Sequence, residues 1–210
     1  MDNWHSGHGG GISNVGTITI NRSTISGNSV ASFGEGGGGI DNYGTAAINN
    51  STISANSGYL SGGGILNAGA VMISNSTLVG NYIQFDNDGG GGISGTATLQ
   101  NSIIADNSDG NCSRTLTSDG YHLSSDNTCD FSGPGDLNNT DPKLGPLQNN
   151  GGPTQTEALL AGSPAIDAGN PSGCTDSKSY LLKTDRRGKP RPDKEDTGGC
   201  DMGAYESQSD

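Results

Sequence analysis

Gly9-Gly10-Gly11-Ile12 returns as Gly37-Gly38-Gly39-Ile40, as Gly62-Gly63-Gly64-Ile65 and as Gly90-Gly91-Gly92-Ile93, at spacings of 28, 25 and 28 residues. A second marker closes each unit: Ile25-Ser26-Gly27-Asn28, Ile53-Ser54-Ala55-Asn56, Leu78-Val79-Gly80-Asn81 and Ile104-Ala105-Asp106-Asn107. Self-similarity at roughly 20–50 residues marks a stacked architecture, in which each repeat buries its apolar face against its neighbours. Between the markers, Thr17-Ile18-Thr19-Ile20 and its counterparts Ala46-Ala47-Ile48, Val71-Met72-Ile73 and Ala97-Thr98-Leu99 alternate with the period of a strand. They are too short and too β-branched for helices. Each unit reads as about three short strands joined by Gly and Asn corners, which is one turn of a coil. The expected fold is all-β, a single-stranded right-handed parallel β-helix (solenoid). Stacking in register predicts internal ladders from Ile12, Ile20 and Ile25. It also predicts amide ladders through Asn14, Asn42 and Asn67 and through Asn28, Asn56, Asn81 and Asn107.

Composition fits a thin core. Apolar residues make up 29% of the 210 residues, and 37 are glycine, well below the roughly 45–50% apolar content of an ordinary domain. The formal charge is -12, and residues 1–108 carry a single basic side chain, Arg22, which excludes nucleic-acid binding by phosphate neutralisation. No apolar run is long enough for a membrane span, so no membrane insertion is expected.

The repeat stops near residue 109. All eight prolines, nine of the ten basic residues and all four cysteines follow it, which divides the chain into four coils over 1–108 and C-terminal rungs with a cap over 109–210. Three pairings of Cys112, Cys129, Cys174 and Cys200 are open. Their local spacing favours Cys112–Cys129 and Cys174–Cys200, and disulfides imply an oxidising compartment.

The first 108 residues resemble the repeats of polymorphic outer-membrane proteins, which pair Gly-Gly-Ala/Gly-Ile with Phe-x-x-Asn; here Ile or Leu stands in place of the Phe. Four later strings resemble the choice-of-anchor Q domain at the end of many bacterial β-helix surface proteins. They are Asp141-Pro142-Lys143-Leu144-Gly145-Pro146, Gly162-Ser163-Pro164-Ala165-Ile166-Asp167-Ala168-Gly169, Asp185-Arg186-Arg187-Gly188 and Gly203-Ala204-Tyr205-Glu206. The resemblance implies a secreted or cell-surface bacterial protein displayed through an anchor, and it carries no single activity.

Length variation points to a site. From each closing Asn to the next Gly-Gly-Gly-Ile isoleucine the distance is 12, 9 and 12 residues, against 16, 16, 16 and 14 from that isoleucine to the closing Asn. Stacking puts the variable loops on one edge, where binding residues of solenoids gather. These loops hold Trp4, Phe33, Tyr59, Tyr82 and Phe85, with His5, His8, Glu35, Asp86 and Asp88. Sugar C–H faces stack on aromatic rings and carboxylates accept hydroxyl hydrogen bonds. The expected function is therefore adhesin-like binding of a glycan or cell-surface polymer. Asp86-Asn87-Asp88-Gly89 offers hard oxygens and a turn, which marks Asp86 and Asp88 as calcium ligands. The alternative is a polysaccharide-active hydrolase or lyase on the same edge. Glu35 with Asp86 or Asp88 would be the acid–base pair, at separations of roughly 5–9.5 Å. His5 and His8 are further catalytic candidates. Gly7-His8-Gly9 matches part of a pectin-hydrolase motif without its paired aspartates. A lyase would need Arg114 or His122 to fold back as its cation. The first rung opens strand edges that favour end-to-end self-association.

Overall fold

A computed structural model describes residues 9–30, 36–85, 89–114, 116–194 and 199–208, together with the backbone of one strand at Trp4–His5. The chain is an all-β parallel solenoid. Each full turn contributes one strand to each of four sheets, four strands per turn rather than about three, because the variable loop opens with a two-residue strand of its own. One sheet orders β1 (Trp4–His5), β5 (Ser29–Val30), β9 (Ser57–Gly58) and β13 (Tyr82–Ile83). The next holds β2 (Ile12–Asn14), β6 (Ile40–Asn42), β10 (Ile65–Asn67) and β14 (Ile93–Gly95). The third holds β3 (Thr17–Asn21), β7 (Thr45–Asn49), β11 (Ala70–Ser74), β15 (Thr98–Gln100) and β17 (Thr117–Ser118). The fourth holds β4 (Thr24–Ser26), β8 (Thr52–Ser54), β12 (Thr77–Val79), β16 (Ile103–Ala105) and β18 (Leu123–Ser124). The strands of the first rung stand at the edges of their sheets.

The registers are those the repeat dictates. Ile12 pairs with Ile40, Ile40 with Ile65 and Ile65 with Ile93, and parallel ladders run from Ile20 through Ile48 and Ile73 to Leu99 and from Ile25 through Ile53 and Leu78 to Ile104. These columns form the main core. The glycine runs follow from close packing at the corner. A Cβ on Gly38 would sit 2.4 Å from the carbonyl carbon of Ser57 and 2.5 Å from the Gly63 oxygen, so no side chain fits where the coil doubles back on its neighbour. After β7, β11 and β15, Asn50, Asn75 and Asn101 adopt left-handed backbone with φ near 50°, a conformation that Asn tolerates better than most residues.

Both amide ladders form. Asn14 Nδ2 donates to Asn42 Oδ1 and Asn42 Nδ2 to Asn67 Oδ1, each at 2.6 Å. Asn28, Asn56, Asn81 and Asn107 donate in series at 2.9 Å, and the series continues into Asn111. A hydroxyl ladder accompanies them, with the backbone N–H of Ser23, Ser51 and Ser76 donating to Ser51, Ser76 and Ser102 Oγ. In the next turn the imidazole of His122 takes the hydroxyl's place, its Nδ1 accepting from Ser102 N at 3.2 Å.

Both expected disulfides are present. Cys112–Cys129 joins the irregular last turns, and Cys174–Cys200 holds the later segment together. That later segment does not stack on the end of the coil. From about residue 141 it runs back along the outer face of the β4–β8–β12–β16–β18 sheet as far as the first rung, where Thr24 Oγ1 donates to Gln155 O and Arg186 Nε to Ser23 O. Val79, Ile103 and Ala105, which face outward, therefore lie in a second core with Leu159, Ala165 and Met202. The corner asparagines serve this contact: Asn50 Nδ2 donates to Thr184 O, Asn75 Nδ2 to Thr175 O and Asn101 Nδ2 to Asp201 O.

One buried carboxyl ties the later segment to the coil. Ser54 Oγ donates to Glu157 Oε1 at 2.7 Å. Burial pushes this carboxyl from 4.5 up to about 7, with Asp106 adding to the rise and the Ser54 hydrogen bond opposing it. A carboxyl whose pKa is higher folded than unfolded stabilises most below about pH 4.5 and loses that contribution as pH climbs through about 7. Glu157→Gln is expected to remove this slope and to raise stability at pH 8 by about 2 kcal/mol. Urea midpoints of both proteins at pH 5 and pH 8 check it.

Candidate aromatic edge

The short sheet places the loop edge. Trp4 pairs with Ser29, Ser29 with Ser57 and Ser57 with Tyr82, so Trp4 and Tyr82 occupy one row across the rungs. At roughly 4.8 Å per rung they stand about 14 Å apart along it. Backbone pairing continues past β13, with Gln84 N donating to Gly58 O and Phe85 N to Tyr59 O. This brings the Tyr59 and Phe85 rings to 4.8 Å between centroids, tilted by 53°, the geometry that aromatic pairs prefer. The Gln84 amide fastens the edge by donating to Ser57 Oγ at 3.0 Å and to Val30 O at 3.1 Å, two rungs away. Tyr82 and Phe85 remain open to solvent at 47% and 53% exposure, while Tyr59 is half-buried.

The edge thus brings together three of the five expected aromatics as side chains and a fourth, Trp4, by its backbone row. Phe33, His8, Glu35, Asp86 and Asp88 lie outside the described residues, as do the side chains of Trp4 and His5. The acid–base and calcium expectations both fall there. Among the described residues, no group of three His, Cys, Asp or Glu side chains is arranged to hold a metal ion. His122 is fully buried against the Phe131 ring at 4.7 Å, and burial lowers its pKa to about 4 against the pull of Asp136. It is a neutral structural histidine, whereas Arg114 is exposed.

Two concavities have no signature in the repeat. A groove of about 530 Å³ runs over the outer face of β3, β7 and β11, floored by Thr19, Ala47 and Met72 and walled by Ser177 and Lys178. A second cavity of about 710 Å³ lies within the C-terminal segment, between Leu159, Ile166, Arg187, Lys189 and Tyr205. Each needs the later segment laid against the coils or folded on itself, which no periodic pattern signals. The disulfides suggest an oxidising, extracellular environment. Among the described residues, no helix is long and apolar enough to cross a membrane. No family model, curated protein or solved structure matches the chain.

Proposed function

We infer that this chain is an extracellular, adhesin-like binding module that presents its aromatic edge to a glycan or a glycan-coated surface. The observation that carries this reading is the exposure of Tyr82 and Phe85 on one edge of the coil, with Phe85 packed on Tyr59. Rings already ordered by a stacked backbone lose little conformational freedom on binding. The same reading takes the C-terminal segment as a choice-of-anchor Q-like region of a bacterial surface protein, with calcium at Asp86 and Asp88 as an accessory ligand.

Glycan-array screening of the whole chain followed by titration calorimetry tests it. Tyr82→Ala and Phe85→Ala are each expected to weaken the selected glycan about tenfold, the loss of one stacked ring, with an unchanged thermal midpoint for Tyr82→Ala. Wild-type protein that retains no glycan, or variants that bind as wild type does, would overturn the reading. Assaying reducing ends and unsaturated products in the same incubations separates binding from turnover.

A further inference from the structure

The 710 Å³ cavity of the C-terminal segment is built from three stretches far apart in sequence, 159–166, 187–189 and 205–208. Its volume falls within the range of small-molecule sites. Leu159, Ile166 and Tyr205 supply an apolar wall, and Ser163, Ser207 and Gln208 supply polar groups around it. Among the described residues, the charges lining it are two cations, Arg187 and Lys189, and no carboxylate. That composition runs against the chain as a whole, which has 22 acidic and 10 basic residues.

The two cations are differently prepared. Arg187 is fixed: its Nε donates to Asp185 Oδ2 at 2.7 Å, its Nη1 to Asn150 O at 3.3 Å and its Nη2 to Glu206 O, while the guanidinium lies 3.6 Å over the Tyr205 ring. Three of its five N–H groups are thereby used and two remain for an acceptor. Lys189 is exposed, and its ammonium makes no ion pair among the described residues. A fixed guanidinium beside an exposed ammonium over an apolar wall suits an anion carried on a partly apolar ring.

We propose that this cavity binds a carboxylate-bearing sugar residue, a hexuronate. Its carboxylate lies between Lys189 and Arg187, and a C–H face of the ring rests on Leu159 and Tyr205. The Gln208 amide N–H groups are given to Pro190 O and Ser207 O, which leaves its Oε1 to accept from a ring hydroxyl. The site uses no residue of the aromatic edge, so it stands or falls independently of that edge.

Titration calorimetry of the whole chain with trigalacturonate tests the assignment, with the neutral galactose trisaccharide and inorganic phosphate as parallel arms. Binding is expected for trigalacturonate, with an affinity that falls several-fold as salt rises from about 0.05 to 0.5 M. The neutral trisaccharide and phosphate are expected to bind at least tenfold more weakly, or roughly 1.4 kcal/mol less. Lys189→Glu should cost at least about tenfold, and Lys189→Gln less, both with unchanged thermal midpoints because the Lys189 side chain is exposed. Trigalacturonate binding that is lost in Tyr82→Ala and kept in Lys189→Glu would assign it to the aromatic edge and overturn the cavity assignment. The proposal is overturned if trigalacturonate shows no binding up to about 10 mM, if either control arm matches it, or if Lys189→Glu binds as wild type does.

Discussion

Asn56→Leu is expected to destabilise the solenoid by about 4 kcal/mol or more, although it places an apolar side chain in a fully buried position. The Asn56 amide serves two rungs at once. Its Oδ1 accepts from Asn28 N at 3.1 Å and from Asn28 Nδ2 at 2.9 Å, while its Nδ2 donates to Ile25 O and Asn81 Oδ1, each at 2.9 Å. Leucine answers none of the four, and each partner abandoned in a dry corner costs about 1–3 kcal/mol. No relaxation is open to the larger side chain, since a Cβ on Gly39 would already lie 3.1 Å from Asn56 Cγ. Asn56→Asp is the telling companion. It keeps the shape and the acceptor toward Asn28, yet turns a carboxylate oxygen toward Ile25 O and Asn81 Oδ1, which are themselves acceptors. It should therefore also be severe, and more so at pH 8 than at pH 4, where the acid can donate. Urea unfolding followed by circular dichroism measures both. An Asn56→Leu protein within about 1 kcal/mol of wild type would show that the ladder is ornament rather than support.

The coil was legible because its cause is periodic. Each Gly-Gly-Gly-Ile and each closing Asn answers the same packing demand one rung later, so the repeat spacing alone aligns pairs such as Ile40↔Ile65 and Thr52↔Thr77. What breaks the period was not legible. Asn111 joins the amide ladder only four residues after Asn107, because the chain closes that corner with a short turn rather than a full coil. The docking of the later segment left one trace. Thr24-Ile25-Ser26 alternates, whereas Ile103-Ile104-Ala105 is apolar and buried on both faces. A strand covered on both faces loses its alternation, and that loss marks the flank where Leu159 and Met202 pack. At the edge, loop variation pointed to Tyr59, Tyr82 and Phe85 but gave no hint of the Gln84 clamp. The cavity around Arg187 was invisible because its walls meet only through the fold.

Arg191→Met is expected to be comparably damaging, through lost hydrogen bonds and, at higher pH, through a stranded charge. Arg191 is 2% exposed. Its Nε meets Glu206 Oε2 at 2.5 Å, and its Nη2 donates to Gly203 O at 2.8 Å and Tyr205 O at 3.0 Å. Removing one member of a buried pair strands the other, typically at about 3–5 kcal/mol. The Glu206 carboxyl shows how finely that pair is balanced: burial pushes it up to about 7, with Arg191 pulling down and Asp201 pushing further up. Without Arg191 the same carboxyl rises higher still. A carboxyl raised in the folded state contributes fully below about pH 4.5 and loses its contribution as pH passes through its folded value, so the variant's deficit must grow with pH. At pH 5 the stranded Glu206 takes up a proton and the loss is chiefly the hydrogen bonds to Gly203 and Tyr205. At pH 8 the deficit should be larger by about 1–2 kcal/mol. Glu206→Gln added to Arg191→Met should erase that difference between the two pH values while leaving the hydrogen-bond loss in place. Urea midpoints of the single and double variants at both pH values decide the matter. A deficit that is the same at pH 5 and pH 8 would mean that the charge of the pair adds nothing to the segment and that Arg191 acts through its hydrogen bonds to Gly203 and Tyr205 alone.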